Sequence, residues 1–177
     1  TYTNNYQSNP IITATNDGKF IICWESLNQD GSNIGLYAQI YSNDGSKIEN
    51  EFKVSKFEKG PQFNANITSL TDNSFIICWQ DGYDCYHDEN LNNNDMRDGW
   101  KGSIYAQIFK SNGQKITTEF QVNDDYKYDD VRPGLHKIND NTFLITWERQ
   151  GQGTNGYEIF GKLFDNPVVV FTDDILK

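Results

Sequence analysis

One apolar motif occurs three times in this sequence of 177 residues, as Phe20-Ile21-Ile22-Cys23-Trp24, Phe75-Ile76-Ile77-Cys78-Trp79 and Phe143-Leu144-Ile145-Thr146-Trp147. Each copy follows a turn sequence rich in Asn and Asp, of which Asn16-Asp17-Gly18 is the first. Side chains alternate between the two faces of a β-strand, so the first, third and fifth residues face one way and the other two face the opposite way. Both sets are apolar, which predicts a strand with protein packed against each of its faces.

Two further motifs recur in step with the first. Tyr37-Ala38-Gln39-Ile40-Tyr41 returns as Tyr105-Ala106-Gln107-Ile108-Phe109 and as Phe160-Gly161-Lys162-Leu163-Phe164, and Glu51-Phe52-Lys53-Val54 returns as Glu119-Phe120-Gln121-Val122. The repeat is 55 residues long, and the second unit is 68 residues long because it carries an insertion of 13 residues within about 81–100. We therefore expect a single repeat domain over 1–177, made of units 1–55, 56–123 and 124–177.

Each unit is predicted to form four short strands that alternate with turns. In the first unit the strands cover 11–15, 19–25, 34–42 and 51–55, and Asn43-Asp44-Gly45 is typical of a hairpin turn with positive φ. The predicted fold is therefore all-β, with three four-stranded antiparallel units that are similar to propeller blades. A β-trefoil or a prism-like domain with pseudo-threefold symmetry is the alternative.

Polar residues also recur in phase with the first motif. The turn before each copy contains an aspartate that we interpret as a turn former, at Asp17, Asp72 and Asp140. The residue directly after each motif tryptophan carries a side-chain oxygen in all three units, at Glu25, Gln80 and Glu148. This recurrence predicts a structural hydrogen bond that every unit repeats.

The units resemble the tandem repeats of about this length in large secreted or surface proteins of bacteria and some protists. Those repeats read approximately as Gly-x-Phe-Val-x-x-Trp, Tyr-Ala-Gln-x-Phe, a Gly turn and Glu-Phe-x-Val-Asn, and the first unit matches them from Gly18, Tyr37, Gly45 and Glu51. The third unit departs from the pattern, since it has Phe160-Gly161-Lys162 for Tyr-Ala-Gln. The resemblance implies a propeller-like extracellular or cell-surface scaffold without enzymatic activity, and it supplies no catalytic residues.

The charge and hydropathy of the chain argue against nucleic acid and membranes as partners. The chain has a formal net charge of −10, and an acidic surface repels phosphate, so we expect neither nucleic acid nor anionic membranes as partners. No run approaches the roughly 18 to 20 apolar residues of a membrane span, so no membrane insertion is expected. Because the sequence begins at Thr1 without a Met, we expect it to be processed or excised from a longer protein.

The insertion in the second unit is dense in the oxygen ligands that suit Ca²⁺. The candidate ligands are Asp84, Asp88, Asn90, Asn92 and Asp95. The spacing does not match an EF-hand, because Asn93 stands where that loop needs Gly and Gly99 stands where it needs Glu. The segment is therefore either an irregular calcium site or a solvated acidic loop, and no other cofactor is expected.

Three aromatic residues accompany these ligands, namely Tyr83, Tyr86 and Trp100. Aromatic faces cover the C–H groups of sugars while Asp and Asn bond the hydroxyl groups, so the loop is a candidate carbohydrate site, assisted by Ca²⁺. Long loops on rigid β scaffolds often carry binding sites. The alternative is that the aromatic residues pack the loop onto its own unit.

Three further features are candidates for modification or assembly. Asn66-Ile67-Thr68 is a glycosylation sequon, which is used only on a eukaryotic secretory route. The apolar residues Val168, Val169, Val170 and Phe171 form a strand that either completes its own sheet or is donated to a neighbouring copy. Cys23 and Cys78 occupy the same repeat position; a bridge between them and a bridge from Cys78 to Cys85 are both open, and a free, buried Cys23 is favoured.

Signatures of enzymes are scarce in this sequence. His87 and His136 are the only histidines, and neither lies in a Ser/His/Asp or Cys/His signature.

The leading interpretation is a non-enzymatic extracellular structural or adhesive module that assembles with copies of itself, as a filament or a closed oligomer, through its sheet edges. The alternative is a calcium-assisted, lectin-like domain with glycans as partners. A hydrolase would need two carboxylates that face a shared cleft.

Overall fold

The computed structural model describes residues 2–31, 33–58, 60–82, 101–124, 127–140, 142–150 and 156–165. These residues form eleven strands and no helix, so this part of the chain contains no helix that could cross a membrane. The strands are β1 Gln7–Ala14, β2 Phe20–Leu27, β3 Ile34–Tyr41, β4 Lys47–Lys53, β5 Gln62–Ser69, β6 Phe75–Asp81, β7 Ser103–Phe109, β8 Phe120–Gln121, β9 Asp130–Lys137, β10 Thr142–Gln150 and β11 Tyr157–Asp165.

The strands form three antiparallel sheets in which neighbours in sequence are neighbours in space. Sheet 1 contains β1 to β4, sheet 2 contains β5 to β8, and sheet 3 contains β9 to β11. The predicted all-β fold with three antiparallel units is confirmed, and the motif forms the second strand of each sheet. The strand predicted at Val168, Val169, Val170 and Phe171 lies outside the described residues.

Two apolar layers hold the three sheets face to face. Between sheets 1 and 2, Ile21 and Cys23 pack in one cluster with Phe75, Ile77 and Trp79. The second layer repeats this arrangement between sheets 2 and 3, with Ile76, Cys78, Phe143, Ile145 and Trp147. We call the face with the first, third and fifth motif residues the aromatic face, and the opposite face the aliphatic face.

Sheet 2 therefore has the double coverage that the motif predicts. Phe75, Ile76, Ile77, Cys78 and Trp79 all have no exposed surface, because sheet 1 covers one face and sheet 3 covers the other. Burial of each large apolar side chain contributes about 1.5–3 kcal/mol. Sheets 1 and 3 are each covered on one face by sheet 2, and no other described sheet covers their second face, so the predicted double coverage is seen only for the motif strand of sheet 2.

The first strand of each sheet contains a β-bulge that was not predicted. In sheet 1 the pairing of β1 with β2 shifts between Ser8 and Ile11, and Asn9 within the bulge has a φ of 49°. Because the ladder resumes beyond the bulge, β1 begins at Gln7 rather than at residue 11. Pro10 has no N–H to donate, which suits a bulge better than a regular strand.

Asp17 and Asp72, two of the three predicted turn formers, make the expected local contacts. The Oγ1 of Thr15 donates to Oδ1 of Asp17 at 2.5 Å, and the backbone N–H of Ser74 donates to Oδ1 of Asp72 at 3.1 Å. Gly45 and Gly113 close equivalent hairpins with φ values of 84° and 83°. Side chains with a Cβ rarely adopt these angles, so both turns favour glycine.

Candidate functional site

Three residues with positive φ occupy one position of the repeat. Asn9, Asn64 and Arg132 have φ values of 49°, 53° and 52°, and each lies in the bulge of the first strand of its sheet. Positive φ is uncommon outside glycine, and here the bulge geometry imposes it three times. The three bulges therefore present their side chains and backbone N–H groups in equivalent ways.

The residue after each motif tryptophan accepts a hydrogen bond from the bulge of its own sheet. Asn9 Nδ2 donates to Oε2 of Glu25 at 2.8 Å, and Asn64 Nδ2 donates to Oε1 of Gln80 at 3.2 Å. In sheet 3 the donor is the guanidinium of Arg132, whose Nη1 lies 2.5 Å from Oε2 of Glu148. The repeated hydrogen bond predicted from these three acceptors is confirmed.

The same acceptors also reach the following sheet. The backbone N–H of Asn64 donates to Oε1 of Glu25 at 2.9 Å, and the backbone N–H of Arg132 donates to Oε1 of Gln80 at 3.1 Å. Each bond satisfies an N–H that the bulge removes from the ladder of its own sheet. The acceptor therefore fastens two consecutive sheets at their first strands. The sequence predicted a bond here but not that it crosses between sheets.

A groove of about 470 Å³ opens where the first strands of the three sheets approach one another. It is lined by Asn9, Pro10, Ile11, Asn64, Ala65, Asn66, Arg132 and Pro133. The lining combines amide groups and one guanidinium with apolar surface, which suits a polar neutral or anionic ligand. Several of its donors already serve the contacts between sheets.

The aromatic face of sheet 1 is uncovered. Ile12 is 63% exposed, whereas Ile67, at the same position of sheet 2, packs against the layer between sheets 1 and 2. Trp24 is half-buried, whereas Trp79 and Trp147 have 0% and 2% of their surface exposed. The difference follows from position, because no described sheet precedes sheet 1.

No described sheet covers the aliphatic face of sheet 3. Ile159 is 55% exposed, whereas Leu36 and Ile104, its equivalents in sheets 1 and 2, are fully buried. Ile138 is 55% exposed, whereas its equivalent Leu70 is 2% exposed. The two ends of the stack thus expose the two apolar surfaces that pack against each other inside it.

A buried ion pair distinguishes sheet 3. Arg149 donates from Nε and Nη2 to the two carboxylate oxygens of Asp130, at 2.7 and 2.8 Å. Burial raises the pKa of Asp130, and the hydrogen bonds from Arg149 act in the opposite direction. The guanidinium also lies 4.3 Å from the ring centroid of Phe160. The repeat gave no signal for this pair, because the other two units hold uncharged residues or a single aspartate at these positions.

The predicted binding residues of the insertion lie outside the described residues. They comprise the candidate calcium ligands Asp84, Asp88, Asn90, Asn92 and Asp95 and the candidate sugar-binding residues Tyr83, Tyr86 and Trp100. In the seven described segments, no group of three His, Cys, Asp or Glu residues could hold a metal ion. The calcium and carbohydrate sites at the insertion therefore stay predictions.

Asn66 and the cysteines have defined surroundings. Asn66 is half-buried and its Nδ2 donates to the backbone oxygen of Pro133 at 2.8 Å, so the glycosylation sequon lies at a contact between sheets 2 and 3. Cys23 and Cys78 are buried and free, as favoured for Cys23, and they are not bridged to each other. Burial raises the pKa of Cys78 to about 12 and also raises the pKa of Cys23. Cys85 lies outside the described residues.

Comparison with known proteins finds solved structures of similar fold but no matching family. No protein-family model and no curated protein matches the sequence. The chain is similar to the solved structure of Hadza microbial sialidase Hz136, with a TM-score of 0.62 and 8% identity over 91% of this chain and 35% of that chain. It is also similar to the endo-arabinase from Bacteroides thetaiotaomicron VPI-5482, with a TM-score of 0.52 and 10% identity over 95% of this chain and 61% of that chain. This chain thus spans less than two thirds of either structure, and at such identities the similarity concerns the fold alone.

Proposed function

We propose that this chain is a non-enzymatic structural or adhesive module that acts outside the cell by assembling with copies of itself. The assembly is supported by one observation: repeat positions that are buried between sheets at Leu70 and Ile104 are exposed at the sheet 3 end of the stack, at Ile138 and Ile159, and Ile12 is exposed at the sheet 1 end. Exposed apolar surface of this kind marks interaction sites. The extracellular location rests on the resemblance of the repeat motifs alone.

We also propose that the three sheets are blades of a propeller-like arrangement rather than parts of a trefoil or a prism. Two features support this assignment. The sheets pack face to face in chain order, and their first strands approach one another around the groove lined by Asn9, Asn64 and Arg132. Propellers usually contain four to eight blades, so three described sheets leave the arrangement open at both ends.

The solution mass of the full chain tests the assembly. We expect light scattering at increasing concentrations to report a mass above the 20.4 kDa of one chain. A single-chain mass at every concentration up to the solubility limit would contradict the proposal.

Carbohydrate binding is the second candidate function. It is supported by the amide and guanidinium lining of the groove, and the similar solved structures are named as a sialidase and an endo-arabinase. A glycan array run with and without a chelator tests it. Specific binding that the chelator abolishes would favour the calcium-assisted site at the insertion, and binding that survives the chelator but is lost in Arg132→Gln would favour the groove. Absence of any glycan binding would contradict this second function.

A further inference from the structure

The open face of sheet 1 and the open face of sheet 3 are of the two kinds that pack against each other inside the stack. Inside the stack an aliphatic face always meets the aromatic face of the following sheet, as where Ile76 and Cys78 meet Phe143 and Trp147. The uncovered aliphatic face of sheet 3 contains Leu144, Thr146, Ile159, Gly161 and Leu163, which pair with one another across β10 and β11 or lie beside these pairs. The uncovered aromatic face of sheet 1 contains Ile12, Phe20, Ile22 and Trp24. Each end therefore lacks the partner that the other end presents.

The hairpin turns show the same relationship. A Cβ on Gly113 would lie 3.1 Å from Cε1 of Phe52 and 3.2 Å from Cδ1 of Ile40, because this turn of sheet 2 packs against sheet 1. Gly45 closes the equivalent turn of sheet 1, and a Cβ there would meet nothing within 4 Å. The turn of sheet 1 thus has the same shape as the turn of sheet 2 that packs against a preceding sheet. In the described chain no sheet precedes sheet 1.

The hydrogen bond between consecutive sheets also has an acceptor without its donor at one end of the described stack and a donor without its acceptor at the other. Glu148 uses Oε2 to accept from Arg132, and no described residue donates to its other carboxylate oxygen. In Glu25 and Gln80 the corresponding acceptor binds the backbone N–H of the next bulge. At the opposite end of the stack, Asn9 has a positive φ close to those of Asn64 and Arg132, but no described sheet precedes sheet 1 to supply an acceptor to its N–H.

From these three observations we infer that a second copy of this chain covers both open faces, head to tail. The aromatic face of sheet 1 in one copy packs on the aliphatic face of sheet 3 in the other, and the carboxylate of Glu148 accepts the N–H of Asn9 across that contact. The same contact forms a second time in the pair, so two copies close a ring of six sheets, within the range of four to eight blades in propellers. This inference rests on the proposed self-assembly and specifies its partner, surfaces and polarity.

Two substitutions at exposed positions test the contact without disturbing the covered layers. Ile12→Asp places a charge on the open aromatic face, and Ile159→Lys places a charge on the open aliphatic face. Because a buried, unpaired charge is costly, each variant is expected to weaken self-association on the order of 100-fold or more. Ile116→Lys is the matched control, since Ile116 is 43% exposed and lies beside sheet 2, where its backbone N–H donates to the backbone oxygen of Ile108, on neither open face. Each copy carries a net charge of −10, so the measurement is made at physiological ionic strength to screen repulsion.

Mass photometry of the native chain is expected to give a pair, twice the 20.4 kDa of one chain, and to give single chains for both face variants. Mixing the two variants is expected to restore pairs through one contact, because the unmodified sheet 3 of the Ile12→Asp chain meets the unmodified sheet 1 of the Ile159→Lys chain, while the second contact carries both charges. Loss of the pair in only one variant, no loss in either, or no rescue on mixing would overturn the head-to-tail contact while leaving self-assembly intact. An open filament would overturn the closed pair, and a native chain that stays single would overturn both this inference and the proposed function.

Discussion

The backbone N–H of Asn64 donates to Oε1 of Glu25 across the boundary between sheets 1 and 2, at a distance of 2.9 Å. The other carboxylate oxygen accepts from Asn9 in the sheet to which Glu25 itself belongs. One side chain, only 5% exposed, therefore fixes both the bulge of its own strand β1 and the position of the following sheet. Apolar contacts between sheets are not directional. A hydrogen bond of this kind is directional, so it fixes the position of one sheet against the next.

Substitution of Glu25 tests this role. Glu25→Leu would leave the amide of Asn9 and the N–H of Asn64 without their acceptor, and we expect it to lower the free energy of unfolding by about 1–3 kcal/mol for each donor that stays buried. Glu25→Gln is the matched control, because Gln80 makes both equivalent contacts through one amide oxygen. We expect it to cost less than about 1 kcal/mol by urea titration. Equal losses in the two variants would show that the hydrogen bonds are not the cause.

Gly113 and Gly45 separate packing between sheets from backbone strain. Gly113→Ala is expected to cost about 1 kcal/mol for its positive φ and a further 1–3 kcal/mol or so for the crowding of Phe52 and Ile40. Gly45→Ala has nearly the same φ and open space around it, so only the first cost is expected in the single chain. Thermal unfolding of both variants in the Ile12→Asp background, which removes the second copy, measures the difference. Identical losses would contradict the packing of the Gly113 turn on sheet 1.

The two buried thiols predict a loss of stability at alkaline pH. An unfolded cysteine ionises near its ordinary pKa of 9.0, but burial holds the pKa of Cys78 at about 12 and raises that of Cys23 too. As the pH rises above about 9, the unfolded chain releases protons that the folded chain retains, so the free energy of unfolding should fall by up to about 1.4 kcal/mol per thiol for each pH unit. The double variant Cys23→Ala, Cys78→Ala should show a smaller slope between about pH 8 and about pH 10. Equal slopes would mean that neither thiol is protected by the fold.

The Asp130–Arg149 pair is expected to be essential to sheet 3. Asp130→Ala leaves the guanidinium buried without the carboxylate, and we expect a loss of about 3–5 kcal/mol in the free energy of unfolding. Lys137→Ala is the control, because Lys137 pairs with Asp140 at an exposed site and should contribute less than about 1 kcal/mol. A loss for Asp130→Ala no larger than that of the control would contradict a role for the buried pair.

The repeat made the main features of the fold predictable. The apolar alternation of Phe75-Ile76-Ile77-Cys78-Trp79 predicted a strand covered on both faces, and both apolar layers of sheet 2 confirm it. The oxygen-bearing residue after each tryptophan predicted a repeated hydrogen bond, because a repeated sequence places equivalent residues in equivalent surroundings. Repetition in the sequence does not, however, reveal that sheets 1 and 3 have a described neighbour on one face only.

The bulges and the buried ion pair were not predictable in this way. A bulge depends on how one strand pairs with the next, and although Asn9 and Asn64 share a repeat position suited to positive φ, Arg132 breaks the pattern in the third unit. Arg149 and Asp130 have no charged counterpart pair in the other units, so only the fold brings their side chains together.

Hydrogen exchange at the backbone amide of Asn9 tests the head-to-tail stacking of sheets most directly. The equivalent amides of Asn64 and Arg132 donate to Glu25 and Gln80 within one chain, so we expect both to be protected in the native protein and in the single-chain Ile159→Lys variant. The Asn9 amide should be protected in the native protein, where Glu148 of a second copy accepts it, and should exchange rapidly in the variant. Rapid exchange of Asn9 in both proteins, or equal protection in both, would contradict the account.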